Sequence, residues 1–424
     1  MKYFIFSLGC KVNSYECSAL ASTLKNRGYF EDKENPDVVI INTCSVTATA
    51  DQKSRQHIRK FKNMFPKAII VVMGCYAQGN YEYISEQIGV DILVGTSHRK
   101  DIPNLIEQFM VNHQPIVMVD KNVRKLCYEE LGVTSYSENI RAYLKIQDGC
   151  NNFCSYCLIP YRRGSSRSRQ LNDIIEEAKY LIKQGYKEIV LTGIDVSSYG
   201  KDLGDVDLYQ LVKELLNLEN IPSLRISSIE AGDMSEDLLK LYRDNDKLAK
   251  HMHIPLQSGS QTVMERMHRK YTKEQFISKI KKLRQYCPDI MISTDVITGF
   301  VKESDEEFLE TRNFIIECGF NQLHVFPFSP REGTLAYSMP NQVEDNIKKK
   351  RTKDLLDLSK TLWKNYCDKF IDKEIDVLIE KYDSKKKLNI GHTSNYIEVG
   401  IPSNEGKVGE KIRVKLQKSM IISK

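Results

Sequence analysis

Apolar runs in the first third of the chain recur with a common ending. Residues 2–8, 38–41 and 68–73 are apolar and lead into Gly9-Cys10, Asn42-Thr43-Cys44 and Gly74-Cys75, while a fourth run, 91–94, leads into Gly95-Thr96 and carries no thiol. Helical periodicity fills the gaps at roughly residues 14–27 and 51–64, so this segment predicts strands and helices alternating around a parallel sheet. From about residue 140 the alternation resumes. Strands are expected at 142–148, 188–192, 224–229, 251–256, 290–297 and 322–328, with helices at 172–184, 235–245, 273–286 and 304–318. Asn172 and Ser235 read as N-caps, and Gly185 and Gly319 as stops. Six such repeats predict a partial barrel whose working end lies at the carboxyl ends of its strands. Residues 342–366 read as a charged helix. Beyond residue 371 short alternating strands at 375–382, 395–401 and 411–416, with a turn region at 391–396, predict a small β-barrel. The expected class is therefore α/β, divided into domains at 1–118, 136–367 and 370–424.

A chain of 424 residues has room for about three domains. Its net charge of +6 permits a nucleic-acid partner without requiring one. The apolar run at the N-terminus is shorter than a signal h-region, and no window approaches the roughly 18 apolar residues of a membrane span. A cytoplasmic protein with no membrane partner is expected. Eleven cysteines, several of them placed at strand ends, point to metal in a reducing compartment rather than to disulfides.

The densest chemistry is Cys150-Asn151-Asn152-Phe153-Cys154-Ser155-Tyr156-Cys157, at the mouth of the first barrel strand. Thiolates are the usual ligands of iron–sulfur clusters, and a cubane takes four. Three in one short loop can hold three irons and leave the fourth open. A structural zinc loop is the alternative, but zinc sites pair such a loop with a second half that this region lacks. The spacing, with Tyr156 before the last cysteine, resembles the radical S-adenosylmethionine (SAM) superfamily, whose (β/α)6 barrel matches the repeats above. In open parallel sheets ligands gather beyond the carboxyl ends of the strands. Cys10, Cys44 and Cys75 could therefore converge on a second cluster although over 30 residues separate each from the next. Each could instead be an ordinary buried cysteine. Cys17 and Cys127 lack this placement and read as bystanders.

The run Leu8-Gly9-Cys10-Lys11-Val12-Asn13-Ser14-Tyr15-Glu16, with Asn42-Thr43-Cys44 and Gly74-Cys75, resembles the N-terminal domain of the methylthiotransferases. The Cys-Lys-Val-Asn form is similar to the branch acting on threonylcarbamoyladenosine in tRNA; the isopentenyladenosine branch shows Cys-Gln-Met-Asn. The resemblance implies two 4Fe-4S clusters. One, at Cys150, Cys154 and Cys157, chelates SAM and reduces it to a 5′-deoxyadenosyl radical. The other, at Cys10, Cys44 and Cys75, carries the sulfur that is methylated and donated to C2 of an adenine beside the anticodon. It further implies a reducing donor such as flavodoxin or ferredoxin, and a monomer. Strand-end segments similar to the family's at matching places give Tyr156, Gly193, Ser228, Glu230 and Gln257 as expected SAM contacts. Two loops depart from the pattern: Val301-Lys302-Glu303 stands where Pro-Gly-Glu is common, and Glu230-Ala231 where Glu-Pro is frequent.

Arg162, Arg163, Arg167 and Arg169 crowd the segment after Cys157 and read either as a solvated charged loop or as a basic lip for tRNA at the anticodon stem-loop. The tail resembles the TRAM domain, an RNA-binding module, and residues 368–424 carry a net charge of +3. Tyr396 reads as core, with base stacking as the other option. Methylthiolation of isopentenyladenosine tRNA or of a ribosomal-protein aspartate, and a non-catalytic zinc-bearing RNA-binding protein, are the competing functions.

Overall fold

The three cysteine-terminated runs lie side by side at the centre of one sheet in the computed structural model, which describes residues 1–132 and 140–422. The expected boundaries at 136 and 424 lie outside the described residues. The strands are β1 (Lys2–Ser7), β2 (Phe30–Glu31), β3 (Val38–Thr43), β4 (Ile69–Gly74), β5 (Ile92–Val94) and β6 (Ile116–Met118). All are parallel, in the order β2-β1-β3-β4-β5-β6. Register sets Ser7 beside Asn42 and Asn42 beside Met73, so the three chain segments that follow leave the sheet from one edge. Every residue of β3 is buried: Val38 and Ile40 pack under the helix Lys11–Asn26, and Val39 and Ile41 under the helix Ala48–Met64. Covering both faces is what a continuous apolar strand requires.

The barrel is built from β7 (Arg141–Lys145), β10 (Glu188–Thr192), β11 (Ser223–Ile226), β12 (His251–His253), β13 (Met291–Thr298) and β14 (Gln322–Pro327), with a small ribbon of β8 (Gln147–Asp148) and β9 (Arg167–Ser168) above it. The parallel sheets β7-β10-β11 and β12-β13-β14 are joined by a parallel bridge from Ser228 to His253. Among the described residues β14 does not pair with β7. The helix Lys11–Asn26 flanks β7, and the long helix Asp345–Asp368 covers β14. The circle is therefore open on one side, as a partial barrel of six strands requires. Ser235 caps its helix by accepting from Leu238 N at 3.2 Å. Asn172 does not act as a cap: the helix Leu171–Lys183 begins earlier, with Gln170 at the cap position.

The tail is a four-stranded antiparallel sheet, β15 (Glu374–Asp383), β16 (Leu388–Thr393), β17 (Glu398–Pro402) and β18 (Lys411–Lys415), in the order β17-β16-β15-β18. The turn region expected at 391–396 is corrected here. Gly391, His392 and Thr393 complete β16, paired with Ile379, Leu378 and Val377 of β15, and the turn begins only at Ser394. Tyr396 is likewise not core. It is half-buried at φ +68°, with its ring 4.4 Å from the Arg225 guanidinium and 4.7 Å from the His251 ring at the amino end of the barrel. No helix of the described residues is long and apolar enough to cross a membrane.

Candidate functional site

Cys10 is the N-cap of the helix Lys11–Asn26, Cys75 opens the short helix Cys75–Gly79, and Cys44 follows β3. Asn13 ties the strand ends together, its Nδ2 donating to Leu8 O at 2.6 Å and Thr43 O at 3.2 Å. Thr43 Oγ1 donates to Met73 O at 2.6 Å and accepts from Ala77 N at 3.1 Å. Gly9 sits at φ +105°, and a Cβ there would lie 2.8 Å from Cys44 Cβ and 2.9 Å from its sulfur. The glycine before Cys10 is thus a condition for bringing Cys10 up to Cys44. Burial pushes the Cys75 thiol up to about 11 and raises Cys44; charge on Cys10 raises both, so the three sulfurs are within electrostatic reach. Cys17 is buried in the apolar core and Cys127 is exposed.

The second triplet lies in the loop between β8 and the helix Ile159–Arg163. Gly149, at φ +70°, packs against Ser165 O with no room for a side chain, and Cys150 N donates to Gly164 O at 3.1 Å. Asp195, beyond the carboxyl end of β10, accepts from Asn152 Nδ2 at 3.1 Å and lies 3.8 Å from Cys150 Sγ. Arg269 Nη1 donates to Cys154 Sγ at 3.5 Å, and its Nη2 pairs with Glu230. Burial, with the Asp195 charge beside it, raises Cys150 strongly, and burial pushes Cys157 up to about 12. Thiols so placed ionise only against added positive charge, which a bound metal provides. All cysteines are free. Among the described residues no three His, Cys, Asp or Glu side chains converge on a single-ion position.

Between the two triplets lies a wholly buried charge cluster that sequence reading missed. Glu16 pairs with Arg99, with Arg163 at 2.9 Å and with Lys145 at 3.1 Å. Asp148 pairs with Lys145 at 2.7 Å, Arg163 at 3.1 Å and Arg167 at 3.3 Å. Against the cost of burial, these cations hold both carboxyls well below the usual range. Tyr15 Oη also crosses to the barrel, donating to Glu177 at 3.1 Å. The Asn13, Tyr15 and Glu16 positions of the N-terminal run thereby acquire physical roles.

This cluster overturns most of the expected basic lip. Arg163, Arg167 and Arg169 are buried, Arg169 pairing with Glu130 and Glu177, and none can meet a phosphate. Arg162 alone stays half-exposed. It lines a cleft of about 550 Å³ with Arg55, Asn80, Arg331 and Tyr337, between the N-terminal sheet and the barrel mouth.

The expected SAM contacts line the mouth. A side chain at Gly193 would crowd Gln147, whose Oε1 accepts from Ile194 N and Asp195 N at 3.0 and 2.8 Å. Ser228, Glu230 and Gln257 are half-buried at successive strand ends, Gln257 at φ +67°. Burial raises the Glu230 carboxyl and Arg269 opposes the rise. Tyr156 meets Phe300 edge-on at 6.4 Å. Arg269 and Asp195, which touch the cysteine loop directly, carry no spacing signal that would have found them.

Residues 2–95 match an uncharacterized protein family, UPF0004, and residues 144–315 match the Radical SAM superfamily. Over 419 residues the chain is 42% identical to the threonylcarbamoyladenosine tRNA methylthiotransferase MtaB of Bacillus subtilis (strain 168), covering 97% of this chain and 93% of that protein. It is 33% identical over 427 residues to the tRNA-2-methylthio-N(6)-dimethylallyladenosine synthase of Sulfurihydrogenibium sp. (strain YO3AOP1), covering 99% and 97%. Its fold is similar to that of the radical S-adenosylmethionine methyltransferase TsrM from Kitasatospora setae, with a TM-score of 0.61 at 12% identity over 79% of this chain and 77% of that one. With near-complete coverage at such identity, the chain belongs to the tRNA methylthiotransferase family of radical SAM enzymes.

Proposed function

We propose that this chain transfers a methylthio group to C2 of N6-threonylcarbamoyladenosine beside the anticodon of tRNA. The observation that carries the reading is its 42% identity, over 97% of its length, to a protein of that name. We assign the SAM cluster to Cys150, Cys154 and Cys157 and an auxiliary cluster to Cys10, Cys44 and Cys75. Two triplets of free cysteines, one beyond the carboxyl ends of the sheet strands and one in the loop at the barrel mouth, are a donor set that fits iron. When bound, the clusters and SAM supply the radical cleavage and the sulfur that an unactivated aromatic C–H demands and side-chain bases cannot provide.

The chain's own residues do the rest. Asp195 and Asn152 brace the cysteine loop. Arg269 fixes Glu230 at the mouth, where Glu230, Tyr156, Gly193, Ser228 and Gln257 surround the space assigned to SAM. Arg163 donates to Cys75 Sγ at 3.1 Å, a hydrogen bond that tunes a coordinating thiolate. Arg162 and Arg55, in a cleft that Asp51 and Glu332 also line, are the cations we assign to RNA phosphate. The reading includes three domains at 1–118, 136–367 and 370–424, a flavodoxin- or ferredoxin-type electron donor, a monomer and a cytoplasmic setting.

The test is turnover by anaerobically reconstituted protein given SAM, reductant and tRNA bearing threonylcarbamoyladenosine. Formation of 5′-deoxyadenosine, S-adenosylhomocysteine and the 2-methylthio nucleoside supports the proposal. Turnover confined to dimethylallyladenosine tRNA would move the assignment to the other branch.

A further inference from the structure

The barrel interior divides into a sealed half and an open half. Strand residues alternate between faces. Met252, Ile254, Ile292, Val296 and Leu323 pack outward into the helix-covered core, so His251, His253, Ser293, Asp295, His324 and Phe326 face the lumen. On the β7–β11 side, Lys145 and Arg225 are sealed by ion pairs. On the β12–β14 side the upper lumen is accessible: His253 and Asp295 are half-exposed, His324 is exposed, and Phe326 is 45% exposed.

These groups form an ordered set. His253 Nε2 lies 3.2 Å from Asp295 Oδ2 and therefore carries the proton toward that carboxylate. Its Nδ1, 3.0 Å from Ser293 Oγ, accepts the serine proton, and His251 Nε2 donates to the same oxygen at 3.2 Å. Both nitrogens of His253 are thus committed. His324 lies beside Asp295 in register, with its ring 5.6 Å from that of His253. Phe326, two residues further toward the mouth, offers an apolar face of the kind on which a base stacks.

Resting on the function proposed above, we propose that His324 is a specificity-determining residue that contacts the N6 substituent of an adenine stacked on Phe326. The ligand class is a polar substituent carrying a carboxylate, a hydroxyl and urea N–H groups, not an apolar alkenyl chain. An imidazole beside a hydrogen-bonded Asp295–His253 wall can hydrogen-bond such a group. An apolar chain would desolvate the same wall without repayment, and sites of this kind discriminate strongly.

The test measures equilibrium binding of the full-length chain to three anticodon stem-loop RNAs, identical except that the target adenine carries threonylcarbamoyl, dimethylallyl or no substituent. The wild type binds the threonylcarbamoyl RNA tightest. His324→Leu lowers the preference for threonylcarbamoyl over unmodified RNA by at least about tenfold, and His324→Gln, which keeps a hydrogen-bonding side chain, restores part of it. The kcat/KM ratio between the two modified RNAs shifts in the same direction. An unchanged preference in His324→Leu overturns the inference and leaves the proposed function standing. Equal weakening toward all three RNAs also overturns it, showing a structural role. A wild type that favours the dimethylallyl RNA overturns both.

Discussion

Arg163 Nε lies 3.1 Å from the sulfur of Cys75. The same guanidinium reaches Glu16 at 2.9 Å and Asp148 at 3.1 Å. One buried side chain thereby joins the N-terminal sheet, the helix that follows Cys10 and the strand leading into Cys150. Removing one partner of a buried charge set leaves the others without compensation. Arg163→Gln should destabilise the chain by about 3–5 kcal/mol, read as a lowered urea midpoint. A change below about 1 kcal/mol would show that water repairs the gap.

The cysteine triplets should separate by function. Cys154→Ala is expected to abolish 5′-deoxyadenosine formation from SAM, whereas Cys44→Ala keeps part of that cleavage and loses thiolation. Anaerobic wild-type protein should carry about eight irons with matching sulfide, and each variant about four. One or two zincs and no iron would support the zinc-bearing RNA-binding alternative instead.

Glu188 binds Arg225 at 2.7 Å and Arg141 at 2.6 Å, and Arg141 continues to Glu380 of the tail sheet at 2.6 Å. Burial alone would raise this carboxyl, but the two arginines outweigh it and hold it at about 2, below its ordinary 4.5. A depressed native pKa contributes stability above the unfolded value, lost as pH falls through the native one. The contribution should be full above pH 4.5 and fade toward about 2. Glu188→Gln should be less stable than wild type at pH 7, and the gap should close by about pH 2. Thermal unfolding across this range reads the effect; a gap that stays constant with pH would contradict it.

Tyr396 fastens the tail sheet to the barrel, its ring 4.4 Å from Arg225 and 5.8 Å from Arg141. Tyr396→Ala should remove about 1–2 kcal/mol of cation–π and packing energy and make the segment after the long helix Asp345–Asp368 more sensitive to limited proteolysis. Proteolysis at the wild-type rate would show that the ion pairs through Glu380 suffice.

The strands that carry the cysteines were legible because they are short apolar runs with Gly or Asn-Thr before the thiol. Edge strands β2 and β6, of two and three residues, had too little pattern to declare themselves. The arginines after Cys157 were misread for a physical reason. Sequence displays their charge, but their partners Glu16, Glu130, Asp148 and Glu177 come from four different stretches of chain. Residues 391–393 read as a turn, yet Gly391 lies in β16 opposite Ile379, where the close approach of Leu378 O leaves no space for a side chain. The polar barrel corner of His253, Asp295 and His324 was hidden because its members lie on three strands.

The most direct test of the central claim is nucleoside mass spectrometry of bulk tRNA from cells with and without this gene. Loss of 2-methylthio-N6-threonylcarbamoyladenosine with accumulation of its unthiolated parent is the predicted result. Persistence of both methylthio-adenosines in cells lacking the gene would contradict it and direct attention to a protein substrate.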